Sequence, residues 1–121
     1  MTTMSTEKKI EITLSESAPV RIDPAQWPVI AEARRHDGAV ECQANNEWRI
    51  RVREHADGRR IVYGSHEAGN GGQYAGFRET FAGWLLAGGD DTVRAIRRVA
   101  GVLGDDQLGA ECIAALPAHD L

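Results

Sequence analysis

Arg49, Arg51, Arg53 and His55 fall at every second position, and Arg60 and His66 return beyond an Asp57-Gly58 turn signal. In an extended chain such side chains share one side, roughly 6.5 to 7 Å from the next. A cationic row of this kind can engage successive phosphates, or an acidic protein surface, through charge-assisted hydrogen bonds. Two features weigh against phosphates. Val62 belongs to the same row, and no aromatic residue is interleaved to stack on a base. Glu32, Asp37, Glu41 and Glu47 lie near enough in sequence to pair with the arginines across neighbouring strands. The row is therefore a candidate binding face with a protein as the preferred partner and nucleic acid as the alternative. A solvated or internally paired face is the plainest outcome.

Other chemistries find less support. His36, His55, His66 and His119 are never spaced as metal ligands on one element, and neither Cys-x-x-Cys nor His-Glu-x-x-His occurs. No metal or cofactor is expected. Ser65-His66 is a bare dipeptide, without the base and orienting acid that a nucleophile requires. The glycine run at 69–76 follows a strand but lacks the Gly-Lys-Ser/Thr ending of a phosphate loop. Arg94, Arg97 and Arg98 cluster on one side of a predicted helix, which reads as a solvated face. The sum points to a non-enzymatic interaction module.

Composition sets the frame. A chain of 121 residues fits one domain with a core that needs no disulfide or metal. Apolar residues make up 42% and charged residues 26%, as in ordinary globular proteins. The net charge of -4 provides no global positive field toward nucleic acid or anionic lipid. No apolar run approaches the twenty or so residues of a membrane span, and the start lacks the pattern of a signal peptide. Cys42 and Cys112 stand apart without a motif, which suggests free thiols in a reducing cytosol, used as small buried side chains. Nothing in the pattern fixes an oligomeric state.

The elements that must position these residues follow from periodicity. Residues 8–14 alternate as a half-buried strand, after a disordered start at 1–7, and Val20 to Ile22 make a short extended piece. Asp23-Pro24 opens a single helical turn that Pro28 cuts short, with Trp27 as its anchor. Val29 to His36 suits either helix or strand, and the strand completes a meander with the following hairpin. In that hairpin, placing Trp48, Ile50 and Val52 with Ile61 and Tyr63 requires a loop of even length. A three-residue loop would set Arg53 opposite Ile61 and mix the faces.

The glycine-rich stretch at 67–76 reads as a flexible loop. Phe77, Phe81, Trp84 and Leu85, at i, i+4, i+7 and i+8, predict an amphipathic helix over 77–87. Two more helices are expected at 92–103 and 106–116, capped at Asp90 or Asp91 and at Asp105-Asp106, and stopped at Gly104 and Pro117. Strands first and helices last imply an α+β fold, an antiparallel meander with about three helices on one face. Trp48, Ile50, Val52, Ile61, Tyr63, Phe77, Phe81, Trp84, Val93 and Ile96 should then form one core.

The stretches D-P-A-Q-W-P-V-I-A and Q-A-N-N-E-W-R-I-R-V-R-E-H-A-D-G-R-R-I-V-Y-G resemble a group of small proteins encoded on proteobacterial plasmids and integrative elements. The resemblance implies a cytosolic accessory protein of a mobile element. It carries no activity and no functional residues to transfer.

Overall fold

A computed structural model describes residues 9–37, 46–68, 77–88 and 91–118. The elements in order are β1 (Ile10–Ile12), β2 (Val20–Ile22), β3 (Val29–Asp37), β4 (Asn46–Glu54), β5 (Arg60–Ala68), β6 (Phe77–Leu86), α1 (Thr92–Leu103) and α2 (Asp106–Ala114). β3 to β6 form a four-stranded antiparallel meander in chain order, while β1 and β2 pair as a separate small sheet. The fold is α+β, and Val29–Asp37 is the strand that the meander required. The start at 1–7, Cys42 and the glycine run at 69–76 lie outside the described residues; Glu67 and Ala68, expected in the loop, extend β5.

Both faces of the meander are covered, and this governs everything else. On one face α1 and α2 bury Ile50, Val52 and Val62 against Ile96, Val99, Leu108 and Cys112. On the other, the small sheet and Trp27 bury Ile61 and Tyr63 against Ile12, Leu14 and Ile22. The single core expected from sequence is therefore two clusters on opposite sides of one sheet. Trp27 is anchored as expected, at the end of a turn in which Asp23 Oδ1 accepts from the Ala25 N–H at 2.9 Å.

Two-sided burial also overturns the hairpin register. Arg53 stands opposite Ile61, Val52 opposite Val62 and Ile50 opposite Gly64. The loop is odd: Gly58 N–H donates to the His55 carbonyl, and His55 N–H donates to the Arg59 carbonyl, each at 2.9 Å. Gly58 has φ 97°, the glycine position of a three-residue hairpin loop built on a type I turn. An even loop was expected because mixed faces are costly when one face is wet. Here Ile61 and Tyr63 enter one core and Val62 the other, as befits a strand buried on both sides.

Residues 77–86 form a strand, so the helix expected at 77–87 is absent and the described helices number two. Phe81 registers with Gly64 and Trp84 with Val62, both on the helix-covered side, because Ala82 is an extra residue in a β-bulge at φ 55°. The bulge converts the even spacing of a strand face into an i, i+3 step, which mimics a helix. Leu85 faces the opposite way, opposite Ile61, and is 44% exposed.

Of the two remaining helices, α1 keeps its expected limits, although the Asp91 side chain at its N-cap makes no capping hydrogen bond, and α2 starts as expected but ends at Ala114, two residues short of the expected limit. Asp105 N–H donates to the Ala100 carbonyl and Gly104 N–H to the Gly101 carbonyl, closing α1 with a left-handed Gly104. Asp105 then caps α2 by accepting from the Leu108 N–H at 3.0 Å. The buried side of α1 is Thr92, Ala95, Ile96, Val99 and Ala100; of the two α1 residues expected in the core, Ile96 is buried and Val93 only partly so.

Candidate binding face

The six residues of the proposed row do not share a face. The odd loop sends Arg49, Arg51 and Arg53 to the side of the small sheet, and Arg60 and His66 to the side of the helices; His55 lies at the turn. Arg49 donates from Nη2 to Glu47 at 2.6 Å and from Nη1 to Glu67 at 3.1 Å. Arg51 donates from Nε to Glu32. Arg34 approaches the other oxygen of Glu47 at 3.6 Å. Arg34 and Arg49 thus meet Glu47 and Glu67 in one group, and Arg51 pairs separately with Glu32, so that in each set cations and carboxylates are equal in number.

Arg53 has a different role. At 7% exposure it is buried, and it donates from Nε to Tyr63 Oη at 2.9 Å and from Nη1 to the Trp27 carbonyl at 2.8 Å. It ties the meander to the segment before β3. His55 packs its ring 5.0 Å from Trp27, with the Arg59 guanidinium 5.2 Å from the same indole. Across the sheet, Arg60 bonds Glu54 at 2.9 Å and the Thr92 hydroxyl at 3.2 Å, joining β5 to α1. His66 stacks on Trp48 at 4.0 Å and meets Asn46 Oδ1 at 2.9 Å. Each of the six has an internal structural role, and the interleaved carboxylates remove the continuous positive face that phosphate binding requires.

A hollow of about 480 Å³ opens beside Trp48, between Arg35 and His36 of β3 and the Leu103–Asp105 turn. Its strongest cation is already committed, since Arg35 bridges to Asp105 at 3.0 Å and to Glu111 at 3.7 Å. Among the described residues, no group of three or more His, Cys, Asp or Glu is placed to hold a metal ion. Cys112, on the buried side of α2, directs its thiol toward the Ile50 carbonyl at 3.7 Å. Burial, with the Glu32 charge second, pushes that thiol up to about 12, so it stays protonated and unreactive near neutrality.

Uncompensated positive charge lies instead on the outer side of α1. Arg94, Arg97 and Arg98 are exposed, and among the described residues no carboxylate comes within 4.0 Å of them. Arg98 lies over the Trp84 ring at 5.6 Å. Gly101 and Val102 continue the stripe at helical spacing, with Val102 60% exposed. Asp91 and Asp106 border it, sharing shallow hollows with Arg94 and Arg98 and with Arg97 respectively.

Local physics does not favour this arrangement. Arg94 sits in the first turn, where the helix dipole disfavours a cation by about 0.3 to 1 kcal/mol, and Arg94 and Arg98 are like charges one turn apart. The sequence signal was present: Thr92–Leu103 contains no acidic residue to pair with them. The spacing alone suggested mere solvation.

The fold and surface define a three-layer α+β protein, with helices, a meander and a small sheet stacked in that order. Compared with protein-family models, curated proteins and solved structures, the chain matches none.

Proposed function

We propose that this chain is a non-enzymatic interaction module, and that the outer side of α1 binds a protein partner through an acidic segment. The observation that carries the reading is the contrast between two sets of arginines. Those of the sheet are spent on internal partners, whereas Arg94, Arg97 and Arg98 stand together with no carboxylate within 4.0 Å among the described residues, and Arg94 lies in the first turn, where the helix end already carries partial positive charge. Exposed Val102 beside them supplies the apolar contact that protein interfaces add to charge.

An acidic peptide fits better than nucleic acid. The three arginines span five residues of helix, about 6 Å along its axis, which is short for a phosphate backbone track. The one aromatic ring beside them, Trp84, lies beneath Arg98 rather than free for stacking. Among the described residues no helix is long and apolar enough to cross a membrane. The setting we propose is the cytosol, as an accessory of a plasmid or integrative element. The sequence resemblance alone supports that part, and sequencing the DNA around its gene tests it.

The binding test is fluorescence anisotropy with a labelled peptide of alternating glutamate and leucine, run beside labelled single-stranded and duplex DNA. The peptide should bind, weaken with added salt, and be lost when Arg94, Arg97 and Arg98 are replaced together by Gln. Peptide binding that survives the triple replacement, or no binding at all, overturns the reading. DNA binding at physiological ionic strength restores the nucleic-acid alternative.

A further inference from the structure

The two edges of the meander differ. At β6, Ser15 N–H donates to the Gly83 carbonyl at 2.8 Å, Thr13 N–H donates to Thr80 Oγ1 at 3.1 Å, and the Thr80 hydroxyl donates to the Glu11 carbonyl at 3.2 Å. That edge is occupied by the chain itself. β3 pairs only with β4, and among the described residues its ladder has no partner on the outer side. Past an irregularity between Val29 and Ala31, residues Ala31–Asp37 keep one register. An unpaired edge of this length is a template for another strand.

The charges along it select which strand. Glu32, Ala33 and Arg34 follow one another, and strand alternation puts Glu32 and Arg34 on the same face. Two antiparallel copies meeting about a twofold axis at Ala33 set Glu32 of each opposite Arg34 of the other. In that register Arg35 lies opposite Ala31, and among residues Ala31–Arg35 no like charges oppose. Moving the axis to Glu32, Arg34 or Arg35 sets like charges directly against each other, which is unfavourable. An unrelated strand meets two adjacent arginines, the usual guard of an edge. The Arg34 side chain is 59% exposed, free to reach outward from its loose 3.6 Å approach to Glu47.

We propose that two copies of this chain join edge to edge through β3, antiparallel about Ala33, into one continuous sheet. The intermolecular pairs link two existing ones, Glu32 with Arg51 and Arg34 with Glu47, into a charge ladder that crosses the interface. α1 packs over β5 and β6, away from this edge, so the dimer leaves its outer side open. This inference goes beyond the docking reading and does not depend on it.

The test is the mass in solution of the full chain, by light scattering and sedimentation from micromolar to millimolar concentration. The expected result is twice 13.2 kDa. Arg34→Glu should raise the dimer dissociation constant by about tenfold or more, because both cross-axis pairs become repulsive. Glu32→Arg should do the same, and a mixture of the two single variants should recover a dimer, because every opposed pair is then attractive. Arg34 is on the surface, so a thermal melt will show that variant to be folded even if Glu32→Arg, which loses the Arg51 pair, is weakened. A wild-type chain of 13.2 kDa throughout, or a dimer indifferent to Arg34→Glu, overturns the proposal.

Discussion

Arg53 looks from its neighbours like a member of a surface row, yet it is a buried cation held by a phenol and a carbonyl. Surface ion pairs contribute only about 0 to 1 kcal/mol, so replacing the arginines of a solvated row would leave stability nearly unchanged. For Arg53 the structure reverses that expectation. Arg53→Gln withdraws the donors from Tyr63 Oη and the Trp27 carbonyl, and should cost about 1 to 3 kcal/mol in urea denaturation, the range for buried groups left unpaired. Arg34→Gln, at an exposed position, should change the same measurement by less than about 0.5 kcal/mol when it is made at a concentration where the chain is monomeric. Asp105 gives a second test. The hydrogen bond from Arg35, with the Leu108 N–H second, holds its carboxyl below the usual carboxylate range. A lowered folded value means that the stabilisation is fully present above the unfolded pKa and is lost as pH falls through the folded one. Asp105→Ala should cost about 0.5 to 2 kcal/mol at pH 7 for the cap alone, and the gap to wild type should close as denaturation is repeated toward strongly acidic pH.

Among the elements, β6 shows how a strand can pass for a helix. Helical spacing was read from apolar positions separated by three and four residues, but four is even and keeps a strand face, and the bulge at Ala82 lets three do the same. The residue types favoured the strand, since Phe, Thr and Trp sit well on a pleated surface. Next to the bulge the chain after β1 lies close against β6: a Cβ at Gly83 would stand 2.7 Å from the Thr13 carbonyl oxygen and 3.2 Å from Tyr63 Cβ. Gly83→Ala should therefore destabilise the protein by about 1 to 3 kcal/mol, as overpacking generally does. A thermal melt unchanged by that substitution would show that residues 13–15 do not rest on β6.

For the molecule as a whole, a sheet with two covered faces should behave as two cores sharing one set of strands. Ile50 belongs to the cluster under the helices and Ile61 to the cluster under the small sheet, without shared partners. Ile50→Val and Ile61→Val should each cost about 0.5 to 1.5 kcal/mol. The double variant should match their sum within about 0.5 kcal/mol. A single core of the kind first expected would couple them more strongly, and a double-mutant cycle in urea distinguishes the two. Cys112 reports on the helix layer: peptide mapping after alkylation near pH 8 should find it unmodified in the native protein and modified once denatured, whatever Cys42 does.

The sequence by itself determined the features that local rules control. Alternation set β1, Gly104 set the end of α1, Asp105 set the start of α2, and Asp57-Gly58 set the position of the hairpin turn, because each depends on residues a few positions apart. The α+β order was legible for the same reason. The tertiary structure alone decided the parity of the hairpin loop, the identity of residues 77–86 as a strand, and the division of the row among two faces and a turn. Each depends on whether a face is wet or covered. The small sheet that covers the second face reaches it from residues far away in sequence, and with both faces dry, alternation no longer reveals which side a residue takes.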